Sequence, residues 1–369
     1  MNLKAPNSTP PWTPPHCPNP QCPYHGPGPH HDFFRRRGFF TRRQPPWRVQ
    51  RYQCRHCGRC FCEQSFCTSY WLKRANLLPR IALLSVGGMA NRQIARTLGC
   101  SPATVDLQLA RLGRHCLLFE RQIPLPASTC RDIVVDGLVS FEYSQYHPFE
   151  ILTAVDRDTS FILHFSDAAV RRSGRMTARQ KVKRAALEAA FGTPEPRAVQ
   201  RAMAEVAQQA ARGAAQVIVR SDEHRAYPGA LRGLPCPYTH RRTSSRRRRD
   251  RHNELFEVNA LDVFIRHSGA NHRRETIAFS RRRQAAAERL AVFVTWKNWV
   301  KRRWEKRCRQ TPAMLLGLAA RALRFEEILG RRLFPGHVEL PASWQAYYRR
   351  EVVTPVLGVN RRHELRYAF

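Results

Sequence analysis

No apolar run reaches the roughly 18 residues that a membrane-spanning helix needs, and the amino terminus is polar and proline-rich where a signal peptide would be apolar. Neither a membrane span nor export is expected, and a cytoplasmic chain is. Acids are scarce: 28 Asp plus Glu stand against 63 Lys plus Arg, a net charge of +35. With a pI near 11.1, the surface seeks a polyanion, and nucleic acid is the expected partner because phosphate neutralisation releases counterions. A long amphipathic helix with an aromatic face is missing, which argues against a membrane surface. An RNP-type aromatic strand is missing too, which argues against a basic RNA-binding protein.

Cysteine, by contrast, is plentiful, and its placement decides its use. Seven of the 12 cysteines lie between Cys17 and Cys67, while Cys100, Cys116, Cys130, Cys236 and Cys308 are scattered. Paired clustering in an intracellular chain favours a metal over a disulfide scaffold. Cys17-Pro-Asn-Pro-Gln-Cys22 and Cys54-Arg-His-Cys57 are two such pairs, joined by a basic, aromatic segment able to form a hairpin. Cys17, Cys22, Cys54 and Cys57 are the expected zinc ligands, and Gly58 suits the knuckle after the second pair. Cys60, Cys62, Cys67, His25 and His56 are rivals. The hairpin aromatics, from Phe33 to Phe40 and from Trp47 to Tyr52, either fill a small core or offer a phosphate-contacting face among the arginines.

At 369 residues and 43% apolar content the chain has room for roughly two or three domains and a sizeable core. Residues 1–16 carry five prolines and read as a flexible arm. From Leu77 to Glu120 the apolar spacing is helical. Ile94, Ala95 and Leu98 mark one helix face, Gly99 breaks it, and Ser101 with Pro102 starts the next helix. That pattern fits a helix-turn-helix or a generic helical hairpin; in the first case Ala103, Thr104, Gln108 and Arg111 are candidates for the DNA groove.

Beyond Pro124 and Pro126, Ile133, Val134 and Val135 form a β-branched run that delivers Asp136 into a turn at Gly137. Strand-like runs follow at Phe149 to Asp156 and Ser160 to Phe165, giving three strands in meander order. Residues 178–213 read as two helices. Ala215 to Asp222 then repeats the earlier design, a β-branched run ending in a carboxylate, followed by Glu223, His224 and a turn at Tyr227-Pro-Gly229. Residues 239–253 are arginine-dense and read as a solvated loop. Val258, Leu261 and Ile265 recur at helical spacing, with Asp262 and Arg266 one turn apart. Residues 284–304, with Trp296, Trp299 and Trp304, and residues 312–330 are expected helices.

Phosphodiester cleavage with two hard cations needs several carboxylates converging on one place. Asp136 and Asp222 fit two of the positions. For the third, Glu257 lies 35 positions after Asp222 and Asp262 lies 40 after it, with Glu254 more remote.

The cysteine-paired ribbon, the helix-turn-helix pattern, Asp136 in DIVVDG, Asp222 in VIVRSDEH and the block VNALDVFIRHSGANHRRETIAFSRR together resemble a bacterial insertion-sequence transposase of the DDE type. The resemblance runs from Cys17 to Leu329, and the block beginning at Val258 is its most specific part. It implies a multidomain α+β and α/β chain: a zinc ribbon over 17–70, a helix-turn-helix domain over 75–122, an RNase-H-like mixed-sheet catalytic core over 130–283 and a helical basic C-terminal region over 284–369. It also implies magnesium or manganese ions held by Asp136, Asp222 and a third acid, and cutting and joining at the element's ends by water and then a 3'-hydroxyl. The family commonly uses glutamate as third acid, and Glu257 has the better spacing. Asp262 is preferred because it sits inside the helical pattern, one turn before Arg266, which Glu257 precedes. Arg266 or His224 would position DNA. Double-stranded DNA of element ends and target, a homo-oligomer during synapsis, and a nucleoid-associated place in the bacterial cytoplasm are implied as well. The rival reading is a non-enzymatic DNA-binding regulator, or an inactive copy of the enzyme.

Overall fold

A computed structural model of the chain describes residues 12–360 apart from 27, 29, 43–46, 245, 274 and 275. Of the expected arm, residues 1–11 lie outside the described residues, and the rest is not a free arm. Trp12 packs its ring against Tyr52 and Phe66, and its carbonyl accepts from the Tyr52 hydroxyl at 3.0 Å. An aromatic ring gains more by burial there than an extended chain gains by freedom.

Strands β1 (Phe34–Thr41), β2 (Arg48–Cys54) and β3 (Cys60–Phe61) form a small antiparallel sheet. Phe33, Tyr52, Phe61 and Phe66 make its core together with Cys17, Cys22 and Cys54, and Phe334 inserts from near the far end of the chain. Three helices follow: α1 (Leu77–Val86), α2 (Asn91–Leu98) and α3 (Pro102–Gln122). Gly99 ends α2 in the left-handed region at φ 58°, where a side chain would be strained, and Ser101 caps α3 by accepting from the Thr104 N–H at 3.1 Å. Ile94, Leu98, Val105 and Leu109 are buried between these helices, each worth about 1.5–3 kcal/mol of transfer free energy.

The central element is a five-stranded mixed sheet, β4 (Ser128–Phe141), β5 (Pro148–Asp156), β6 (Ile162–Ala169), β7 (Ala214–Ser221) and β8 (Tyr238–Arg242), in the order β6-β5-β4-β7-β8. The first three run antiparallel in meander order; β7 and β8 add in parallel. Nearly every residue of β5 is buried, as expected of a central strand covered on both faces. Helices α4 (Ala178–Phe191) and α5 (Ala198–Ala210) form the crossover to β7, and α6 (Tyr227–Leu231) leads to β8. Helix α7 (Phe256–Ser268) packs on β4 and β5. The buried Arg131 guanidinium ties the carbonyls of Pro126, Ala210 and Arg212 together at 2.6–2.9 Å, locking the crossover to the start of β4.

Helix α8 (Arg283–Thr295) lies along α3 and ends in a π-helical turn, Trp296–Val300. Short helices α9 (Pro312–Leu315) and α10 (Phe325–Ile328) and a last helix α11 (Ala342–Arg349) complete the chain.

Five expectations are corrected here. The strand carrying Asp136 does not turn at Gly137 but continues to Phe141, because the backbone of β5 pairs with it throughout. The arginine-dense 239–253 is not all loop: its first residues form β8, an exposed edge strand without the apolar run by which strands are recognised. Tyr227-Pro-Gly229 opens a short helix, with Pro228 at a first-turn position where its missing N–H costs nothing. The helix expected over 312–330 is two single-turn helices, broken where Gly317 takes φ 77°. The helix expected over 284–304 likewise ends early, Lys301 leaving helical geometry at ψ 132°.

The π turn serves a buried contact. Trp299 is buried and its Nε1 donates to Glu120 on α3 at 2.9 Å, with Asn298 Nδ2 donating to the same carboxylate at 3.2 Å. Burial pushes the Glu120 carboxyl up to about 7 despite these donors. A folded-state value above the ordinary 4.5 means that the native protein binds the extra proton. The stability this contributes is complete below about pH 4.5 and is lost as pH rises through about 7. Denaturant unfolding at pH 5 and pH 8 is expected to show a loss on the order of 2 kcal/mol from this group, and Glu120→Gln is expected to remove that part of the slope.

Candidate active site

The parallel register of β4 and β7 sets the site. Its last pair is Val134 with Arg220, so continuing two residues along both strands brings Asp136 opposite Asp222 just past the end of β7. Asp136 accepts from the Gly137 N–H at 2.7 Å, and Asp222 accepts from the His224 N–H at 2.9 Å, fixing each carboxylate locally. Burial pushes Asp136 up to about 6, with repulsion from Asp222 adding to it and the Gly137 N–H and Arg249 opposing.

Asp262 reaches the same place from α7. Its carboxyl is pushed up to about 7, first by burial and then by Asp136, against Arg266 and Arg249, and its Oδ1 is buried without a hydrogen-bond partner. Glu257 does not join them. Five residues earlier on the same helix it points about 140° away, toward Arg303 at 3.1 Å and the Ser160 hydroxyl. It also lies within α7, not before it as the sequence suggested, because Asn253 starts the helical turn by accepting from the Leu255 N–H at 2.8 Å. Glu254 is occupied elsewhere, paired at 2.9 Å with Arg220, which also holds Asp132.

A fourth acid was missed. Glu150 on β5 is buried, and its side chain crosses over Gly137: a Cβ at position 137 would lie 1.8 Å from Glu150 Oε1. Burial and the charges of Asp136 and Asp222 push Glu150 up to about 7. The signal was present as a lone glutamate inside the apolar run of β5. Tyr227, almost fully buried, completes the surround; burial and the charges of Asp136, Glu150, Asp222 and Asp262 push its phenol well up. The acids are electrostatically coupled but do not lie as a group of three or more with oxygens within 4.8 Å of one another, a spacing met among the described residues by two other groups.

One of those two is Cys17, Cys22, Cys54 and Cys57. Their sulfurs approach to 3.5 Å (Cys17 and Cys57) and 3.8 Å (Cys22 and Cys54), and Gly58 turns at φ 70° behind the second pair. Burial pushes the Cys17 and Cys22 thiols up, so four thiolates there need a cation. The rivals Cys60, Cys62 and Cys67 stand outside the group, and so do His25 and His56.

The groove candidates on α3 divide. Ala103 is exposed and Thr104 half-exposed on its first turn, while Gln108 turns its Oε1 inward, buried. Arg111 is a correction: its guanidinium donates to the Thr68 and Tyr70 carbonyls at 2.8 Å each, and burial lowers it to about 10, so it clamps the ribbon's end to α3 instead of facing a groove. Arg266 donates to the carbonyls of His272 and Val139, beside the acids. No helix among the described residues is long and apolar enough to cross a membrane.

No protein-family model matches the chain, and no curated protein does. Among solved structures, it is similar to a chain of the simian T-cell lymphotropic virus intasome in complex with the PP2A regulatory subunit B56 gamma. That likeness has 13% identity, covers 66% of this chain and 75% of that one, and has a TM-score of 0.23, too low to carry an argument.

Gly137→Ala is expected to expel the Glu150 side chain and cost about 1–3 kcal/mol in denaturant unfolding. Glu150→Ala in the same chain is expected to restore most of that loss; an additive double variant would show that the two do not meet.

Proposed function

We propose that the chain is a DDE-type transposase of a bacterial insertion sequence, with the five-stranded sheet as an RNase-H-like core and Asp136, Asp222 and Asp262 as its acidic triad. The observation that carries this reading is the β4–β7 register, which brings Asp136 and Asp222 into step while α7 delivers Asp262 to the same charge cluster. A site of oxygen donors only, with an unpartnered buried Asp262 Oδ1 and with Asp136 and Asp262 raised by burial, fits hard divalent cations. Bound magnesium or manganese would supply the positive charge that stabilises attacking and leaving oxygens at a phosphodiester.

The chain's own residues do the rest. Asp136 and Asp222 are held by neighbouring N–H groups in fixed orientation, so little reorganisation is needed when DNA arrives. Arg249, close enough to act on Asp136 and Asp262, ends the four-arginine run and offers a phosphate contact at the rim. His224 packs its ring, tilted, against Tyr227 at 4.8 Å between centroids and borders the site as a DNA-positioning group, as does Arg266. Zinc in the four-cysteine group would set the ribbon's fold, and the first turn of α3, with Ala103 and Thr104, would enter the DNA groove as the second helix of a helix-turn-helix. The partner is double-stranded DNA, element ends and target, with two chains or more at synapsis.

Asp136→Asn and Asp262→Asn are expected to lower metal-dependent nicking and joining of element-end DNA by on the order of 10²–10³-fold or more, with folding and end-binding retained. Glu257→Gln is expected to stay within about tenfold of the parent while losing about 1–3 kcal/mol of stability with its Arg303 pair. Activity that survives in Asp262→Asn and vanishes in Glu257→Gln would reverse the assignment of the third acid. Joining that survives in Asp136→Asn would remove the enzyme and leave the DNA-binding regulator.

A further inference from the structure

A second set of metal donors converges beside the ribbon, and none of the acids belongs to it. His16, His25 and His337 each offer a nitrogen, and these atoms lie within 4.8 Å of one another. They meet where the C-terminal segment docks on the ribbon. Arg332 donates from its backbone N–H to the Phe66 carbonyl at 2.9 Å and from its side chain to the Ser65 carbonyl at 2.7 Å, and Phe334 is buried in the ribbon core.

Each ring already has one nitrogen assigned. His16 Nδ1 and His25 Nδ1 face the Cys17 carbonyl at 3.0 and 2.8 Å, and His337 Nε2 faces the His25 carbonyl. A carbonyl only accepts, so each of these nitrogens carries the hydrogen, leaving His16 Nε2, His25 Nε2 and His337 Nδ1 with free lone pairs. Metal-bound histidines show this pattern, the far N–H donated to a carbonyl that orients the ring. His25 is 4% exposed, and its Nε2 is buried with no hydrogen-bond partner. A Cβ at Gly336 would stand 2.7 Å from that nitrogen, so glycine keeps the space before it open.

We infer that His16, His25 and His337 form a second transition-metal site, separate from the four cysteines, whose ion pins the C-terminal segment to the ribbon. Three neutral imidazoles suit zinc or a similar borderline ion, not magnesium. Arg331 and Arg332 lie near enough to oppose added positive charge, which favours an anionic fourth ligand such as hydroxide or chloride. The site would tie residues 312 positions apart in sequence, His25 and His337, into one coordination sphere.

The test is zinc content of the full chain, loaded with excess zinc and desalted. The parent is expected to hold two ions, His16→Asn and His337→Asn one each, Cys54→Ser one, and Cys54→Ser with His337→Asn none. Parent-like zinc in both histidine variants overturns the proposal. X-ray absorption at the zinc edge of the unaltered protein gives an answer that no misfolded variant can blur. A mixed shell, sulfur at about 2.3 Å and nitrogen or oxygen at about 2.0–2.1 Å, is expected, and a shell of sulfur alone overturns the site. A shell of nitrogen and oxygen alone, with Cys54→Ser unchanged and zinc lost in His337→Asn, supports the histidine site and removes zinc from the cysteines; the same shell with zinc retained in His337→Asn overturns the histidine site.

Discussion

Carboxylates repel one another, and most strongly where water is scarce. Around Asp136 the chain gathers Asp222, Asp262 and Glu150, with Tyr227 behind them, and the first cost is desolvation, with mutual repulsion second. Several other features of the fold serve to hold that arrangement. The parallel register of β4 and β7 aligns two acids, Gly137 gives up its side chain so that Glu150 can cross the strand, and α7 presents Asp262 while sending Glu257 to Arg303. Burial holds the carboxyls of Asp136, Glu150 and Asp262 above the ordinary carboxylate range, and on the proposed reading a bound cation would offset that cost. The basic surface fits the same proposal, since a net charge of +35 would attract a polyanion that the acids alone would repel.

A second tie joins the ends of the molecule. The ribbon is too small to bury much by itself, and it borrows Phe334 from the C-terminal segment and a clamp from Arg111 on α3. Arg111, a groove candidate in the sequence, thus holds the ribbon to the rest. Trp299 is a packing contact of the same kind elsewhere, buried against Glu120.

How much of this was legible depended on whether the signal was local. Asp136 and Asp222 showed because each follows an apolar β-branched run, and the cysteine pairs showed because their spacing is short. The strand through Gly137 was misread as a turn since glycine favours turns, and only the pairing partner, β5, reveals that this glycine serves a close approach. Glu150 was hidden because a single acid in a strand carries no sign of which neighbour it crosses. β8 was hidden because an arginine-rich edge strand has no apolar pattern. Spacing favoured Glu257, but orientation around α7 separates it from Asp262, and orientation depends on where the helix begins. The three histidines were beyond reach, since His337 meets His25 only through the docking of distant segments.

The central claim is that the acids around Asp136 form one cation site. Anomalous diffraction from crystals soaked in manganese tests it directly. The account predicts manganese at bonding distance, about 2.1 Å, from oxygens of Asp136, Asp222 and Asp262, with Glu257 still on Arg303. Manganese absent from this cluster at saturating concentration, or bound through Glu257 instead of Asp262, would contradict it.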